Sequence, residues 1–156
     1  MINENMLREI DALPASRIIN ELNQIACSTM DKSALFYRIF SRVKTSKSVE
    51  KKFLLKSYNP AHKMQDLIGV RIALYFKDDI NVCRRIIEST YKVVDISEDI
   101  EDKTNFKPVR LNYVCKLPQS IKEMFVDQFW DKYYIDDTFE IQIRTVFSEG
   151  WHEIEH

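Results

Sequence analysis

The sequence predicts an α/β layer fold, with strands and helices alternating along the chain. Three observations predict it. Residues 67–76 (LIGVRIALYF) are dense in β-branched and aromatic side chains, as a largely buried strand requires. Residues 138–145 (TFEIQIRT) alternate apolar and polar with a period of two. Elsewhere apolar residues recur at helical spacing, as in Ile18, Ile19, Leu22, Ile25 and Ala26.

The elements follow in order. Met6, Leu7, Ile10 and Leu13 form a first helical stripe that Pro14 interrupts, and the stripe from Ile18 to Ala26 forms a second. Residues 1–34 therefore read as supporting helices, and residues 35–156 as the working core. Residues 35–44 (LFYRIFSRVK) are aromatic-rich and partly alternating, and would end as a strand with Arg42 and Lys44 on one face. Residues 48–56 (SVEKKFLLK) read as a short basic helix with Ser48 as its cap. Asp66 sits at the start of the strand over 67–76. Asp78 and Asp79 would cap a helix reaching Ser89, with Val82, Ile86 and Ile87 facing the core. Residues 91–96 read as a strand, the acidic stretch after them as an exposed loop, 110–117 as a strand and 120–129 as a helix. On the strand over 138–145, Phe139, Ile141 and Ile143 share one face, and Glu140, Gln142 and Arg144 the other. Residues 146–156 read as a helix with Phe147, Trp151 and Ile154 on its apolar side. The chain stops within that apparent helix, so a longer natural protein is expected.

Composition narrows the function classes. With 156 residues, 45% of them hydrophobic, the chain suits one domain with a real core. Its net charge of -1 carries no general nucleic-acid signature. Charge is unevenly placed, however. Residues 38–63 hold eight Lys or Arg and one acid, Glu50, whereas residues 95–102 hold five acids and no base. Taken alone, the basic run reads as a solvated helix face. The cysteines Cys27, Cys83 and Cys115 are widely spaced and suggest neither a disulfide framework nor a metal site. No apolar run approaches the length of a membrane span, and the N-terminus lacks a signal-peptide core, which makes the cytoplasm the expected location.

The polar row Glu140, Gln142 and Arg144 on its own would be the wet face of an ordinary half-buried strand. Asp66 at one strand start, and Arg42 and Lys44 on another strand, change its weight. If those strands adjoin, two carboxylates meet several cations. Carboxylates offer Mg²⁺ hard oxygen ligands, and cations neutralise phosphate charge that shifts during transfer. That equipment suits movement of a phosphoryl or pyrophosphoryl group.

The segments SRVKTSKSVEKKF, QDLIGVRIALYF and FEIQIRTVFSEGWHEIEH, in this order, resemble successive motifs of the RelA/SpoT alarmone synthetase domain. The resemblance covers most of the chain from Ser41 onward, and its last motif is the most specific. It implies a nucleotidyltransferase-like mixed sheet of about five strands flanked by helices. It also implies transfer of the β,γ-pyrophosphate of ATP to the 3′-hydroxyl of GTP or GDP, with Mg²⁺ as the cofactor. Carried over by motif, Asp66 and Glu140 would hold Mg²⁺, and Glu140 would act as general base. Arg42, Lys44, Lys52 and Arg71 would bind ATP, and Gln142, Arg144 and His156 would line the cleft. His62 has no motif support and is expected at the surface. Members often form oligomers, and a homo-oligomer is compatible with this sequence. No His-Asp hydrolase motif is present, so alarmone hydrolysis is not expected of this segment.

One motif departs from the pattern. Where the family carries G-Y-x-S-x-H, this chain has KPVRLN over 107–112. Phe106, Arg110 and Asn112 are the nearest candidates for acceptor binding. Three acceptor readings stay open: a guanine nucleotide in an altered pocket, an adenine nucleotide, or the 3′ end of tRNA. A reading of a different class also stays open, in which the domain has lost catalysis and binds a nucleotide to regulate a partner.

Overall fold

The computed structural model describes residues 2–99 and 110–146. Its elements are α1 (Glu4–Asp11), α2 (Ala15–Met30), β1 (Tyr37–Val43), α3 (Ser46–Leu55), β2 (Ile68–Leu74), α4 (Ile80–Thr90), β3 (Val93–Asp99), β4 (Arg110–Lys116), α5 (Gln119–Lys122), α6 (Phe129–Lys132) and β5 (Thr138–Thr145). The five strands form one mixed sheet in the order β1-β2-β5-β4-β3. β2 and β5 run parallel, and the other pairs are antiparallel. The α/β fold with a five-stranded mixed sheet is thus present.

Register explains why the sheet has two unlike faces. Ile39 pairs with Ile72, Ile72 with Ile143, and Ile143 with Leu111. Two residues along, Val70, Ile141 and Tyr113 make a second apolar rung, and Ile68, Phe139 and Cys115 a third. Paired residues project to the same side, so these rungs build one continuous core face. α2 and α4 cover it, with α2 touching both β1 and α4. Each fully buried aliphatic or aromatic side chain there stabilises the fold by about 1.5–3 kcal/mol relative to exposure. Tyr113 is buried with its hydroxyl donating to Glu88 of α4 at 2.8 Å, which satisfies its polar end. The opposite face carries Arg42, Phe40, Arg71, Glu140, Gln142 and Asn112.

Several local expectations are corrected. The cap of α3 is Thr45, not Ser48: its side chain accepts from the Ser48 amide at 3.3 Å and donates to the Ser48 hydroxyl at 3.1 Å. Ser48 is the third helical residue, the partner of the cap. Asp79 precedes α4 without a side-chain capping bond, because residues 77–79 already form a 3₁₀ turn that leads into the helix. The buried stripe of α4 is Cys83 and Ile87, four residues apart, while Val82 is exposed. The start of the acidic stretch is strand rather than loop: β3 runs through Ser97, Glu98 and Asp99, paired to β4. Residues 120–129 do not form one helix. Two single turns, α5 and α6, are separated by Gln128, whose positive φ of 64° breaks the helical path.

The three cysteines are free thiols, Cys83 and Cys115 buried and Cys27 partly so. Burial pushes the Cys83 and Cys115 thiols up to about 12, which makes them inert. His62 is exposed and stacks on Tyr58. Among the described residues no helix is long and apolar enough to cross a membrane. The helix expected over 146–156 lies outside the described residues beyond Val146.

Candidate active site

A cleft of about 290 Å³ opens on the polar face over β1, β2 and β5, and Asp66, Glu140, Lys44, Arg42, Arg71 and Gln142 line it. Backbone pairing far apart in sequence assembles these residues. The parallel register sets Gly69 beside Glu140 and Arg71 beside Gln142. The antiparallel register sets Arg42 beside Gly69. Gly69 thus lies between Arg42 and Glu140 without a side chain of its own. A methyl there would come within 4.0 Å of the Arg42 Nε, so glycine leaves the floor of the cleft low between the two charges.

Asp66 is placed by bonds from both sides. The Lys44 amide donates to the Leu67 carbonyl at 2.8 Å. The Met64 amide donates to the Tyr134 carbonyl, and the Asp136 amide to the Met64 carbonyl, each at 2.8 Å. The Thr138 hydroxyl adds a bond to the Gln65 carbonyl at 3.0 Å. The segment holding Asp66 is therefore stitched to β1 on one side and to the start of β5 on the other.

The Asp66 carboxylate accepts a hydrogen bond from Lys52 Nζ and lies 3.2 Å from Lys44 Nζ. Burial pushes this carboxyl up, but the Lys52 hydrogen bond and the Lys44 charge outweigh it and hold it below the usual carboxylate range. Asp66 is thus ionised at neutral pH. Glu140 accepts from Gln142 Nε2 at 3.0 Å, and Gln142 Oε1 accepts from Arg71 Nε at 3.2 Å and Nη2 at 3.1 Å. The chain Arg71–Gln142–Glu140 fixes the orientation of all three side chains.

The expected site residues divide into three groups. Asp66, Glu140, Arg42, Lys44, Arg71 and Gln142 line one cleft, and Lys52 joins it through Asp66. Arg144 is not a lining residue. It is buried, and donates to the carbonyls of Ile143 at 2.9 Å and Leu111 at 3.4 Å and to Asn112 Oδ1 at 3.0 Å. Asn112 and Arg110 lie on β4 and are not among the lining residues, although Asn112 pairs directly with Gln142 across β4 and β5, and the Asn112 side-chain oxygen is engaged by Arg144. Phe106 and His156 lie outside the described residues. Phe40 and Gly69, which the sequence reading did not single out, also line the cleft. Phe40 could have been found by stepping back two residues from Arg42 along the same strand face.

Asp66 and Glu140 present hard oxygen donors to one cleft, which suits Mg²⁺. Among the described residues no group of three His, Cys, Asp or Glu could hold a metal ion unaided. Two carboxylates are what Mg²⁺ ordinarily takes from protein when substrate phosphates complete its shell. The cations around them, Lys44, Lys52, Arg42 and Arg71, suit a polyphosphate in the same cleft.

Residues 41–156 match the family model described as "Region found in RelA / SpoT proteins". No curated protein matches the chain. Solved structures do. The small alarmone synthetase 1 from Bacillus subtilis is 26% identical, with 98% of this chain and 76% of that one covered at a TM-score of 0.64. The same synthetase bound to AMPCPP is 25% identical, with 87% of this chain and 66% of that one covered and a TM-score of 0.56. A GTP pyrophosphokinase family protein from Streptococcus pneumoniae is 20% identical, with 87% of this chain and 66% of that one covered and a TM-score of 0.61. The aligned part of this chain thus spans about two thirds to three quarters of these proteins.

Proposed function

The chain belongs to the RelA/SpoT family, and on that premise we propose that it is a nucleotide pyrophosphokinase, transferring the β,γ-pyrophosphate of ATP to a 3′-hydroxyl. The observation that carries this reading is the meeting of Asp66 and Glu140 with Lys44, Arg42 and Arg71 in one cleft. The likeness to a synthetase bound to AMPCPP supports ATP as the donor.

In this reaction the acceptor oxygen attacks the β-phosphorus of ATP. A bond forms between that oxygen and phosphorus, the bond from the β-phosphorus to the α,β-bridging oxygen breaks, and AMP leaves. Glu140 takes the proton of the attacking hydroxyl. Its orientation by Gln142, which is itself held by Arg71, aims the carboxylate before substrate arrives. Lys44, Lys52 and Arg42 neutralise the triphosphate. Asp66 and Glu140 would hold Mg²⁺, which supplies charge neutralisation at the phosphate oxygens.

GTP or GDP is the acceptor that family membership favours. One observation favours a changed acceptor pocket. Asn112 replaces the family's histidine, and its side-chain oxygen is committed to the buried Arg144 instead of facing outward as an open acceptor. An adenine nucleotide and the 3′ end of tRNA therefore stand beside the guanine nucleotides as acceptors to test.

The test is to incubate the full natural protein with ATP and Mg²⁺, offer GDP, GTP, ADP, ATP and deacylated tRNA separately, and identify products by mass spectrometry. AMP together with a pyrophosphorylated acceptor is expected for at least one acceptor. ATP binding without AMP from any of them, or equal AMP from Glu140→Ala, would replace the enzyme with a nucleotide-binding regulatory domain.

A further inference from the structure

We propose that Phe40 is the platform on which the donor nucleotide's base stacks, and that it sets the preference of the cleft for a purine. This inference rests on the reading of the cleft as an ATP site and deepens it. Among the described residues, Phe40 is the only aromatic one that lines the cleft. It is 55% exposed, in the middle of a strand whose adjacent Ile39 is packed against the core. Other exposed rings nearby have a partner: Phe36 and Phe76 meet edge to face at 6.0 Å. Phe40 has no ring contact among the described residues.

Its position gives the exposed ring a use. Phe40 lies directly opposite Arg71 in the β1–β2 register, and Arg42 is two residues along on the same face. Arg71 donates to Gln142 from both Nε and Nη2, and its place in the register puts its side chain on the same sheet face as the Phe40 ring. The other end of the cleft, at Asp66, carries Lys44 and Lys52 and suits phosphate. A nucleoside triphosphate laid with its phosphates toward Asp66 brings its base toward Phe40 and Arg71. An aromatic ring and a guanidinium plane are the two surfaces on which a base stacks, and a purine offers them more area than a pyrimidine. An exposed phenylalanine among arginines gains nothing from the core. It gains desolvation and stacking when a base covers it.

The experiment compares binding of α,β-methylene ATP, its cytidine counterpart and inorganic tripolyphosphate by calorimetry, in the parent, Phe40→Ala and Phe40→Trp. Phe40→Ala should weaken the adenine ligand on the order of tenfold. It should leave tripolyphosphate unchanged and narrow the gap between the adenine and cytidine ligands, and Phe40→Trp should restore the adenine affinity. Because Phe40 is exposed, the variants should melt with the parent. Equal adenine binding by Phe40→Ala overturns the proposal and leaves the ATP site standing. Equal weakening of tripolyphosphate also overturns it, since the ring would then only shape the cleft. A parent that binds tripolyphosphate but not the adenine ligand overturns both the proposal and the ATP reading beneath it.

Discussion

Two aspartates in this protein are each gripped by two lysines, and they do different work. Asp66 is held by Lys52 and Lys44, and Asp137 by Lys116 at 2.6 Å and Lys122 at 2.7 Å. In both, burial pushes the carboxyl up, and the lysines outweigh it and hold it below the usual range. Both lead into a central strand, Asp66 two residues before β2 and Asp137 one residue before β5. Only Asp66 lines the cleft with Glu140. The lysines of Asp137 come from the end of β4 and from α5, so that cluster ties the ends of neighbouring elements together. The lysines of Asp66 come from the basic helix α3 and from the residue just past β1, and both bring positive charge to the cleft. The same local chemistry therefore serves as a structural clamp in one place and as site equipment in the other.

The sharpest way to break this comparison is to remove each carboxylate in turn. Asp66→Asn should reduce AMP formation by about 10²-fold or more at saturating substrate, while Asp137→Asn leaves it within about threefold of the parent. Comparable losses from both would show that Asp66 has no special role. Next in size is the cap of α3. Thr45→Ala should cost about 1 kcal/mol in chemical denaturation and raise the KM for ATP, because the helix presenting Lys52 begins at that residue. The corresponding change at Ser48, to Ala, should cost less.

Acid titration separates the clamps by their contribution to stability. A carboxyl whose folded pKa is depressed stabilises the fold above its unfolded pKa, near 4, and that contribution is lost as pH falls through the folded value. Stability should therefore fall below about pH 4. Asp137→Asn should flatten the fall by up to about 1 kcal/mol, since solvent screens this partly exposed cluster. An unchanged acid profile in Asp137→Asn would deny the clamp any energetic role. The smallest expected effect concerns the metal. Lys52 occupies the Asp66 carboxylate, so Lys52→Met should strengthen Mn²⁺ binding to the nucleotide-free protein a few-fold, as read by water proton relaxation. Lys122→Met should not.

Much of this was legible from sequence because the signals are local. The period of two in residues 138–145 fixes which side chains of β5 are buried, and Phe139, Ile141 and Ile143 are buried as that pattern requires. Arg144 shows the limit of the same rule. Alternation puts it on the polar face, yet its guanidinium is buried there, bonded to the carbonyls of Ile143 and Leu111 and to Asn112, and alternation carries no information about neighbours. The break at Gln128 and the 3₁₀ turn before α4 escaped for a related reason. Composition specifies a helical tendency but not where tertiary packing interrupts it.

The sequence by itself determined the strands, their apolar and polar faces, and the residue types able to bind a polyphosphate. Only the tertiary structure decided which of those residues meet. In sequence, Asp66 before Leu67-Ile68 and Asp137 before Thr138-Phe139 are alike: each is an acid leading into a buried strand. The parallel pairing of β2 with β5, and the stitching of Met64 to Tyr134 and Asp136, carry Asp66 to the cleft that Glu140 lines, while Asp137 is left with Lys116 and Lys122. Those contacts join residues some 70 positions apart, and a short-range pattern cannot specify a long-range pairing: the energy that selects it comes from burying whole faces together.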